Sequence, residues 1–486
     1  MGITKVQGDS LQRMIAVVGA AAFMVQGYNQ SMMNGFTTLP TFLQAIPEVD
    51  TVNTTGGEKA YNAKILGLVV AIYEVGSAIG ALSCLLVGDR LGRPRTMLLA
   101  GCICVVGVVI QATTFSLAQI LVGRVITGVG IGLYTGTVPI ESGLAVASWV
   151  NFGMFHSSGP VTWRFPMALQ LVLLIVILSL TPFLPESPRW LVKKERLEEA
   201  TAIMARLMGR SVDDAEVARE IAGIYAAVQR DAGHRHQYSA NPFSMNKNRH
   251  LNRLLLAVTS TMITQMTGIN VIAFYSVSIF EGTLGYSGSE ARVFSACLQV
   301  TLALGGLAAI FTVDRFGRRR LMLFSTACMV LAQAAVAGLS SNLSNVAADR
   351  AAIFFYFFAM LTLPVGMFII PFMYGAEIAP LGIRHKVTAM GAATSWLFNF
   401  MVAEVTPIAF ANIGWRYNIV YSATSAAGCL VIYLFYPETR GRSLEEIDEI
   451  FLQSKNAFDP VRVAKTLPMG LDVLDTIEAA GKIEAS

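Results

Sequence analysis

The stretch Gly88-Asp89-Arg90-Leu91-Gly92-Arg93-Pro94-Arg95 (GDRLGRPR, residues 88–95) returns later in the chain as VDRFGRRR (313–320). A second pair of motifs follows in the same order, with PESPR at 185–189 and PETRGR at 437–442. Each motif comes directly after a long apolar segment. The repeated order and spacing predict a chain made of two duplicated halves.

The composition places both halves in a membrane. Of the 486 residues, 54% are hydrophobic and only 14% are charged, and the mean hydropathy is +0.56. A soluble domain carries about a quarter charged residues. A membrane-spanning helix needs about 20 mostly apolar residues. Eleven segments meet this length, namely 13–33, 65–87, 96–114, 118–139, 165–184, 254–279, 293–313, 321–340, 351–373, 387–410 and 418–436.

The charged residues orient these spans. Arginines and lysines cluster at 90–95, 193–196, 315–320 and 440–442, whereas the loop 34–63 carries three acidic side chains and one lysine. Because basic loops stay in the cytoplasm, both termini are expected there. The net charge of +4 and the absence of a strongly basic domain argue against nucleic acid as a partner. The expected units are a membrane half at 1–184, a cytoplasmic helical linker at 185–252, a second half at 253–436 and a cytoplasmic tail at 437–486.

The spacing of the repeat exposes a deficit in the first half. The first aspartate and the first PE motif are 96 residues apart (89 to 185), whereas their counterparts are 123 apart (314 to 437). Most of this difference of 27 residues falls at 139–163. There, 143–152 would reach only about 15 Å as a helix, which is half of the hydrocarbon core. A truncated fifth span is therefore expected, caused by splicing, by an error in the gene model or by a real deletion.

Seven motifs in order identify a resemblance. They are GDRLGRPR (88–95), GRVITGVGIG (123–132), PESPRWL (185–191), QMTGIN (265–270), VDRFGRR (313–319), AEIAPLGIR (376–384) and PETRGRSLEEID (437–448). Together they resemble the sugar porter family of the major facilitator superfamily, and in detail its fungal hexose transporters. The resemblance implies an all-α polytopic membrane protein with nominally 12 transmembrane helices in two six-helix halves. It also implies alternating access to a site between the halves.

Polar residues on predicted spans are the candidates for substrate contact. Amide side chains offer both donors and acceptors without charge, which suits a hydroxyl-rich ligand, although hydrogen bonding between helices explains Gln265 and Asn270 equally well. The resemblance favours sugar contact, because QMTGIN stands at the family's sugar site. Thr264 and Phe274 depart from the usual motif. The implied substrate contacts are Gln265, Asn270, Tyr275, Phe372, Trp396 and Asn399.

The arginine-rich turns are candidates for a charge latch that closes the cytoplasmic side. The alternative is that they serve only as topogenic positive loops. The resemblance supplies acidic and basic partners and implies a Glu/Arg set near residue 140 in the first half. There Glu141 remains, but no arginine follows until Arg164, so this latch is expected to be incomplete. The predicted latch residues are Asp89, Arg90, Arg93, Arg124, Glu186, Arg189, Asp314, Arg315, Arg318, Glu377, Arg384, Glu438 and Arg440.

Proton coupling needs a carboxylate in the pathway whose pKa can change. Symporters of the family carry an aspartate on the first span, and Asn29 stands at that position here, while Arg124 is retained. Because asparagine does not titrate, facilitated diffusion is favoured. Glu74 and Glu404 are intramembrane carboxylates that offer proton coupling instead.

The predicted function is transport of a monosaccharide or related polyol by a monomer in the plasma membrane. The alternatives are a proton-coupled symporter, or a non-transporting sensor or defective product because of the missing segment. An enzyme is not expected, because the chain has no GxSxG, HExxH or P-loop motif. No cofactor or metal is expected either, since the six cysteines fall in apolar stretches.

Overall fold

The computed structural model describes residues 7–134, 142–237, 241–245, 248–282, 284–341, 346–380 and 382–468. These residues are almost entirely helical. The first half comprises α1 (Asp9–Met32), α2 (Pro40–Ala45), α3 (Gly56–Leu91), α4 (Arg93–Ala112), α5 (Leu117–Tyr134), α6 (Ser142–Phe155) and α7 (Val161–Leu180). Three helices follow it, α8 (Pro188–Lys193), α9 (Leu197–Met208) and α10 (Ala215–Gln237). The linker is helical, as the sequence predicts.

The second half repeats the arrangement with two broken helices. It comprises α11 (His250–Gln265), α12 (Ile269–Gly282), α13 (Gly288–Phe316), α14 (Arg318–Leu339), α15 (Val346–Met367), α16 (Ile370–Ile378), α17 (Arg384–Ile413) and α18 (Tyr417–Phe435). The tail adds α19 (Leu444–Gln453) and α20 (Asp459–Thr466). Helices α11 and α12 form one span, and so do α15 and α16. The sequence predicted each as a continuous helix.

Ten helical stretches of described residues are long and apolar enough to cross a membrane. The last of them, Arg384–Phe435, contains both α17 and α18. All eleven predicted spans are therefore present, and only the last five residues of 118–139 lie outside the described part of the chain. With the short apolar α6 they make the twelve positions of the nominal fold. At 14 residues, α6 is about 21 Å long, too short to cross alone.

The two membrane sides are distinguished by the linker helices. The backbone N–H of Gly8 donates to the carbonyl of Arg206 on α9 at 2.8 Å, so α1 begins on the side that holds α8–α10. We call this the linker side, and the opposite side, with α2, the far side. Helix α6 runs beside only the far-side part of α1. A Cβ on Gly143 would lie 2.2 Å from the carbonyl oxygen of Met24, and the amide of Asn151 donates to the carbonyl of Met32 at 2.9 Å.

Small residues hold the helices of the first half together. A Cβ on Gly128 or on Gly132 would lie 2.1 Å from a backbone oxygen of α3. A Cβ on Gly130 would meet the sulfur of Cys104 on α4 at 2.4 Å. Alternate glycines of α5 therefore contact different neighbours, as expected for close helix packing in a membrane.

The two arginine-rich turns share one conformation, which supports the predicted repeat. Gly92 separates α3 from α4 with φ 81°, and Gly317 separates α13 from α14 with φ 92°. In each turn a glutamate from the PE motif accepts a hydrogen bond at the start of the next helix. The backbone N–H of Arg93 donates to Glu186 at 2.8 Å, and that of Arg318 donates to Glu438 at 2.8 Å. These carboxylates satisfy orphan N–H groups and oppose the helix dipole.

Candidate functional site

Three buried amides meet where the span formed by α11 and α12 is broken. Gln265 ends α11, Asn270 lies at the start of α12, and Gly268 between them has φ 80°. A Cβ on Gly268 would lie 2.5 Å from the ring of Tyr421, so only glycine fits this turn. The turn lets the Nδ2 group of Asn270 donate both to the side-chain oxygen of Gln265 and to that of Asn399 on α17, the latter at 2.7 Å.

The amide cluster continues in both directions. The amide nitrogen of Gln265 donates to the hydroxyl of Ser395 at 2.7 Å. The Nδ2 group of Asn399 donates to a carboxylate oxygen of Glu74 at 2.6 Å, and Glu74 lies on α3 in the other half. We call Glu74, Gln265, Asn270, Ser395 and Asn399 the polar chain. All five residues are less than 10% exposed.

The chemistry of the polar chain suits exchange of hydrogen bonds. Amides and hydroxyls donate and accept, so each bond within the chain can be replaced by one to a ligand hydroxyl without leaving a buried group unsatisfied. The chain also joins the two halves of the molecule through Glu74 and Asn399. The site therefore offers hydrogen-bonding groups that suit a hydroxyl-rich ligand, and it lies between the two halves.

The other predicted contact residues do not belong to the polar chain. The hydroxyl of Tyr275 donates to the backbone oxygen of Ala403 at 2.8 Å. Trp396 packs in an apolar cluster with α1 residues such as Ala22. Phe372 on α16 is 40% exposed, whereas its neighbours Ile370 and Tyr374 are buried. Sugar contact by these three residues stays a prediction.

The predicted latch of the second half forms a compact network. Arg318 pairs with Glu377 at 2.9 Å and with Asp314 at 3.0 Å. The other carboxylate oxygen of Glu377 accepts from the hydroxyl of Thr439 at 2.6 Å. Glu438 accepts from the backbone at Arg318 and Arg440, so its role is helix capping rather than an ion pair.

The matching position in the first half is different. Arg93 is exposed, and its side chain makes no ion pair with any residue that the structure describes, although its backbone is bound by Glu186. The side chain of Asp89 and the whole of Glu141 lie outside the described residues. The predicted incompleteness of this latch stays a prediction.

The remaining latch candidates are spread over the linker side. The guanidinium of Arg384 donates to the carbonyl of Ala379 at 3.2 Å, and Arg189 lies on α8. Arg90 and Arg315 are exposed beside the turns. Arg124 is not at the linker-side turns: it is fully buried within α5, where it donates to the carbonyl of Val70 at 2.6 Å.

The candidate coupling residues have distinct surroundings. Asn29 donates to the side-chain oxygen of Gln170 on α7 at 2.7 Å, and both amides are fully buried. Glu404 lies on α17 where it crosses α3, and a Cβ on Gly67 would lie 2.5 Å from its carbonyl oxygen. One carboxylate oxygen of Glu404 is buried without a hydrogen bond from any described residue.

The two halves also meet at the far side. The amide nitrogen of Asn34, just after α1, donates to the hydroxyls of Ser276 and Ser295 at 2.8 and 2.9 Å. Arg292 on α13 pairs with Glu281 and donates to the hydroxyl of Thr38 at 2.9 Å and to the carbonyl of Gly35. We call this set of contacts the far-side seal, because it joins both halves between the amide cluster and the far side.

Sequence reasoning missed Ser395, Asn34 and Arg292. Ser395 is four residues before Asn399, so the helical period alone places the two on one face. Arg292 is a charged residue near the start of a predicted span, and charged residues at such positions are candidates for a function. Asn34 gave no such signal, because it stood at the end of a span. Among the described residues, no group of three His, Cys, Asp or Glu side chains is placed to hold a metal.

The sequence also matches known proteins along nearly its whole length. The sequence model for "Sugar (and other) transporter" matches residues 14–141 and 139–451. The chain belongs to this family. The match divides at 139–141, where the spacing of the repeat places the missing segment.

Individual relatives agree with the family assignment. The MFS-type transporter oryC of Aspergillus oryzae is 34% identical over 91% of this chain and 86% of its own length. The sugar transporter STL1 of Saccharomyces cerevisiae is 31% identical over 95% and 85%. The STL1 alignment runs over 501 positions, more than this chain's 486 residues, so it places gaps in this chain.

A solved structure shares the fold. The proton:xylose symporter XylE, bound to 6-bromo-6-deoxy-D-glucose, superposes with a TM-score of 0.71. It is 20% identical, and the match covers 91% of this chain and 99% of XylE. The arrangement of twelve helix positions is therefore that of the major facilitator fold.

Proposed function

We propose that this protein carries a monosaccharide or a related polyol across the plasma membrane by alternating access. The observation that carries the proposal is the polar chain: uncharged amides on the sugar porter motif, buried between the two halves and linked to both. The relatives named as sugar transporters support a sugar as the substrate class. The halves at 1–184 and 253–436 would rock about this site, with both termini in the cytoplasm, in a protein that works as a monomer.

Facilitated diffusion is the mechanism that the first span supports. A symporter needs a carboxylate that takes up a proton on one side and releases it on the other. At the position expected for that carboxylate, Asn29 bonds to Gln170 and has no titratable proton in this range. Glu74 and Glu404 are the carboxylates that would have to serve in its place.

Uptake of labelled D-glucose in yeast that lacks its own hexose transporters tests the proposal. The native chain, fused to a fluorescent protein to quantify membrane expression, is compared with a version that has 27 family residues restored at 139–141. Saturable uptake by the native chain is expected. Uptake only after restoration would show that the native product is defective, and no uptake by either would reject the proposed substrate.

Purified protein in liposomes separates facilitated diffusion from symport. A proteoliposome loaded with a pH-sensitive dye reports proton movement during sugar entry. We expect sugar exchange with no proton flux, and the same exchange in the E404Q variant. Acidification of the lumen in step with sugar entry would instead establish coupling through Glu74 or Glu404.

The short α6 favours one alternative, a protein that binds sugar without carrying it. The high glucose sensor RGT2 of Saccharomyces cerevisiae is 28% identical over 91% of this chain. A sensor would bind D-glucose in purified form yet give no uptake in cells at matched expression. The combination of binding and transport assays therefore decides between the two functions.

A further inference from the structure

The buried cation Arg124 needs a counter-charge. Its side chain is fully buried, donates from one nitrogen to the carbonyl of Val70 and lies 4.6 Å from the ring centre of Tyr73. Its other two guanidinium nitrogens find no hydrogen-bond acceptor among the described residues. A cation in the membrane interior is stable only beside an opposite charge or a dense set of acceptors.

Glu74 supplies that charge. It is next to Tyr73 on α3, it is fully buried, and its carboxylate interacts electrostatically with Arg124. On α1, Asn29 carries no charge and donates to Gln170. An arginine on α5 and a carboxyl side chain on α3 thus face each other across neighbouring helices.

The same carboxylate ends the polar chain. Asn399 donates to Glu74 at 2.6 Å and accepts from Asn270 at 2.7 Å. The carboxyl group of Glu74 is thus an acceptor that faces the neutral amides of the other half. A sugar hydroxyl placed between them can donate to Glu74 and accept from Asn399, replacing one hydrogen bond by two.

From this geometry we propose that Glu74 is a substrate ligand contributed by the first half, which accepts a hydrogen bond from one hydroxyl of the sugar or polyol. The Glu74–Asn399 hydrogen bond is the contact that this hydroxyl replaces. Hydroxyl donors bind a carboxylate about twice as strongly as a neutral acceptor. Binding then loosens a direct bond between the halves while the ligand bridges them. This inference rests on the proposed sugar transport and identifies one residue of that site.

Monodeoxy analogues test the pairing directly. The full-length protein is reconstituted in lipid nanodiscs, and its affinity is measured for D-glucose and for 1-, 2-, 3-, 4- and 6-deoxy-D-glucose. In the wild type, removal of the hydroxyl that contacts Glu74 should weaken binding about tenfold or more. In E74A the same deletion should cost less than about twofold, because its partner is already gone.

Matched variants separate this role from a structural one. E404A removes another intramembrane carboxylate, and this variant should still lose affinity about tenfold when the same sugar hydroxyl is removed. E74Q keeps an acceptor and the side-chain shape, so it disturbs the packing less than E74A, and its loss of affinity on removal of that hydroxyl should fall to about threefold. A general structural defect would weaken all analogues equally in both variants.

Two results would overturn the inference. In the first, the E74A or E74Q protein loses as much affinity as the wild type for each deoxy sugar. In the second, the wild type binds every deoxy sugar within about twofold of its affinity for D-glucose. In both cases D-glucose still binds, so the proposed function survives. A wild type that binds neither D-glucose nor the polyols D-sorbitol and glycerol rejects the proposed function itself, and Glu74 as a sugar ligand with it.

Discussion

At the scale of single residues, the site depends on amides that bind one another. Asn270 is central, because it donates to both Gln265 and Asn399. The sequence placed these three residues at the site through the family motif. It did not show that Gln265 and Asn270 touch, since five residues along a continuous helix are about 140° apart. The contact exists because the helix breaks at Gly268.

Replacement of Asn270 should therefore weaken substrate binding more than replacement of Tyr275. N270A removes donors from two buried acceptors and should cost about 1–3 kcal/mol, or roughly tenfold or more in affinity. Y275F removes a hydroxyl that is bound to the backbone of Ala403 and should change affinity less than about threefold. Equilibrium binding of D-glucose to purified protein measures both. A larger loss in Y275F would contradict the geometry of the amide cluster.

The two arginines of the repeated turns form a matched pair for a stability test. Arg93 and Arg318 both donate a backbone hydrogen bond to a PE-motif glutamate, and alanine keeps that bond. Arg318 adds side-chain ion pairs, of which the one to Glu377 is largely shielded from solvent, and the described side chains provide none to Arg93. R318A should lower stability by about 1–3 kcal/mol, because Glu377 loses its charge partner.

R93A should leave the melting temperature unchanged within error, since the side chain is exposed. Thermal unfolding of detergent-purified variants, followed by size-exclusion chromatography with fluorescence detection, provides the comparison. Equal shifts in the two variants would show that Arg93 has a partner comparable to Glu377.

At the scale of helices, the sequence located the spans better than their breaks. Length and hydropathy were enough to find all eleven segments. The breaks before Ile269 and before Ile370 were missed. Pro371 at the start of α16 was a local signal for the second break, whereas the first depends on a partner packed against the turn. At Gly268 that partner is Tyr421, about 150 residues away in the chain. Local composition does not contain this information.

The short helix α6 depends on close contact with α1. A Cβ on Gly143 would overlap the carbonyl of Met24, whereas a Cβ on Gly153, in the same helix, would meet nothing within 4 Å. G143A should reduce stability and membrane expression, because backbone must move to admit the methyl group. G153A should be neutral or slightly stabilising, since alanine favours a helix over glycine. Similar expression and melting temperature for both variants would contradict the packing of α6 on α1.

At the scale of the whole molecule, the duplicated halves make a prediction about sidedness. Both arginine-rich turns lie on the linker side, so R93C and R320C should react with a membrane-impermeant thiol reagent only when the cytoplasmic face is accessible. N53C in the far-side loop should react in intact cells. Cys102 is exposed and is replaced first in the parent protein. Reaction of R93C and R320C from opposite faces would reject the two-half topology.

The duplication could be predicted from the sequence, and so could the position of the shortened segment in the first half, but not the placement of the remaining helix. Counting from 89 to 185 and from 314 to 437 showed where residues are missing, and the divided family match falls at the same place. The counting could not show which end of the fifth span remains. The packing of Gly143 and Asn151 on α1 assigns the remaining helix to the far-side part.

The kinds of groups in the far-side seal determine how its opening responds to salt and to membrane voltage. Arg292 and Glu281 belong to the same half, and the bonds that cross to the other half end on hydroxyls, amides and backbone carbonyls. Parting the halves there separates no pair of opposite formal charges among the described residues. The opening step should accordingly respond little to ionic strength or to transmembrane voltage, which act on charges that are exposed or displaced.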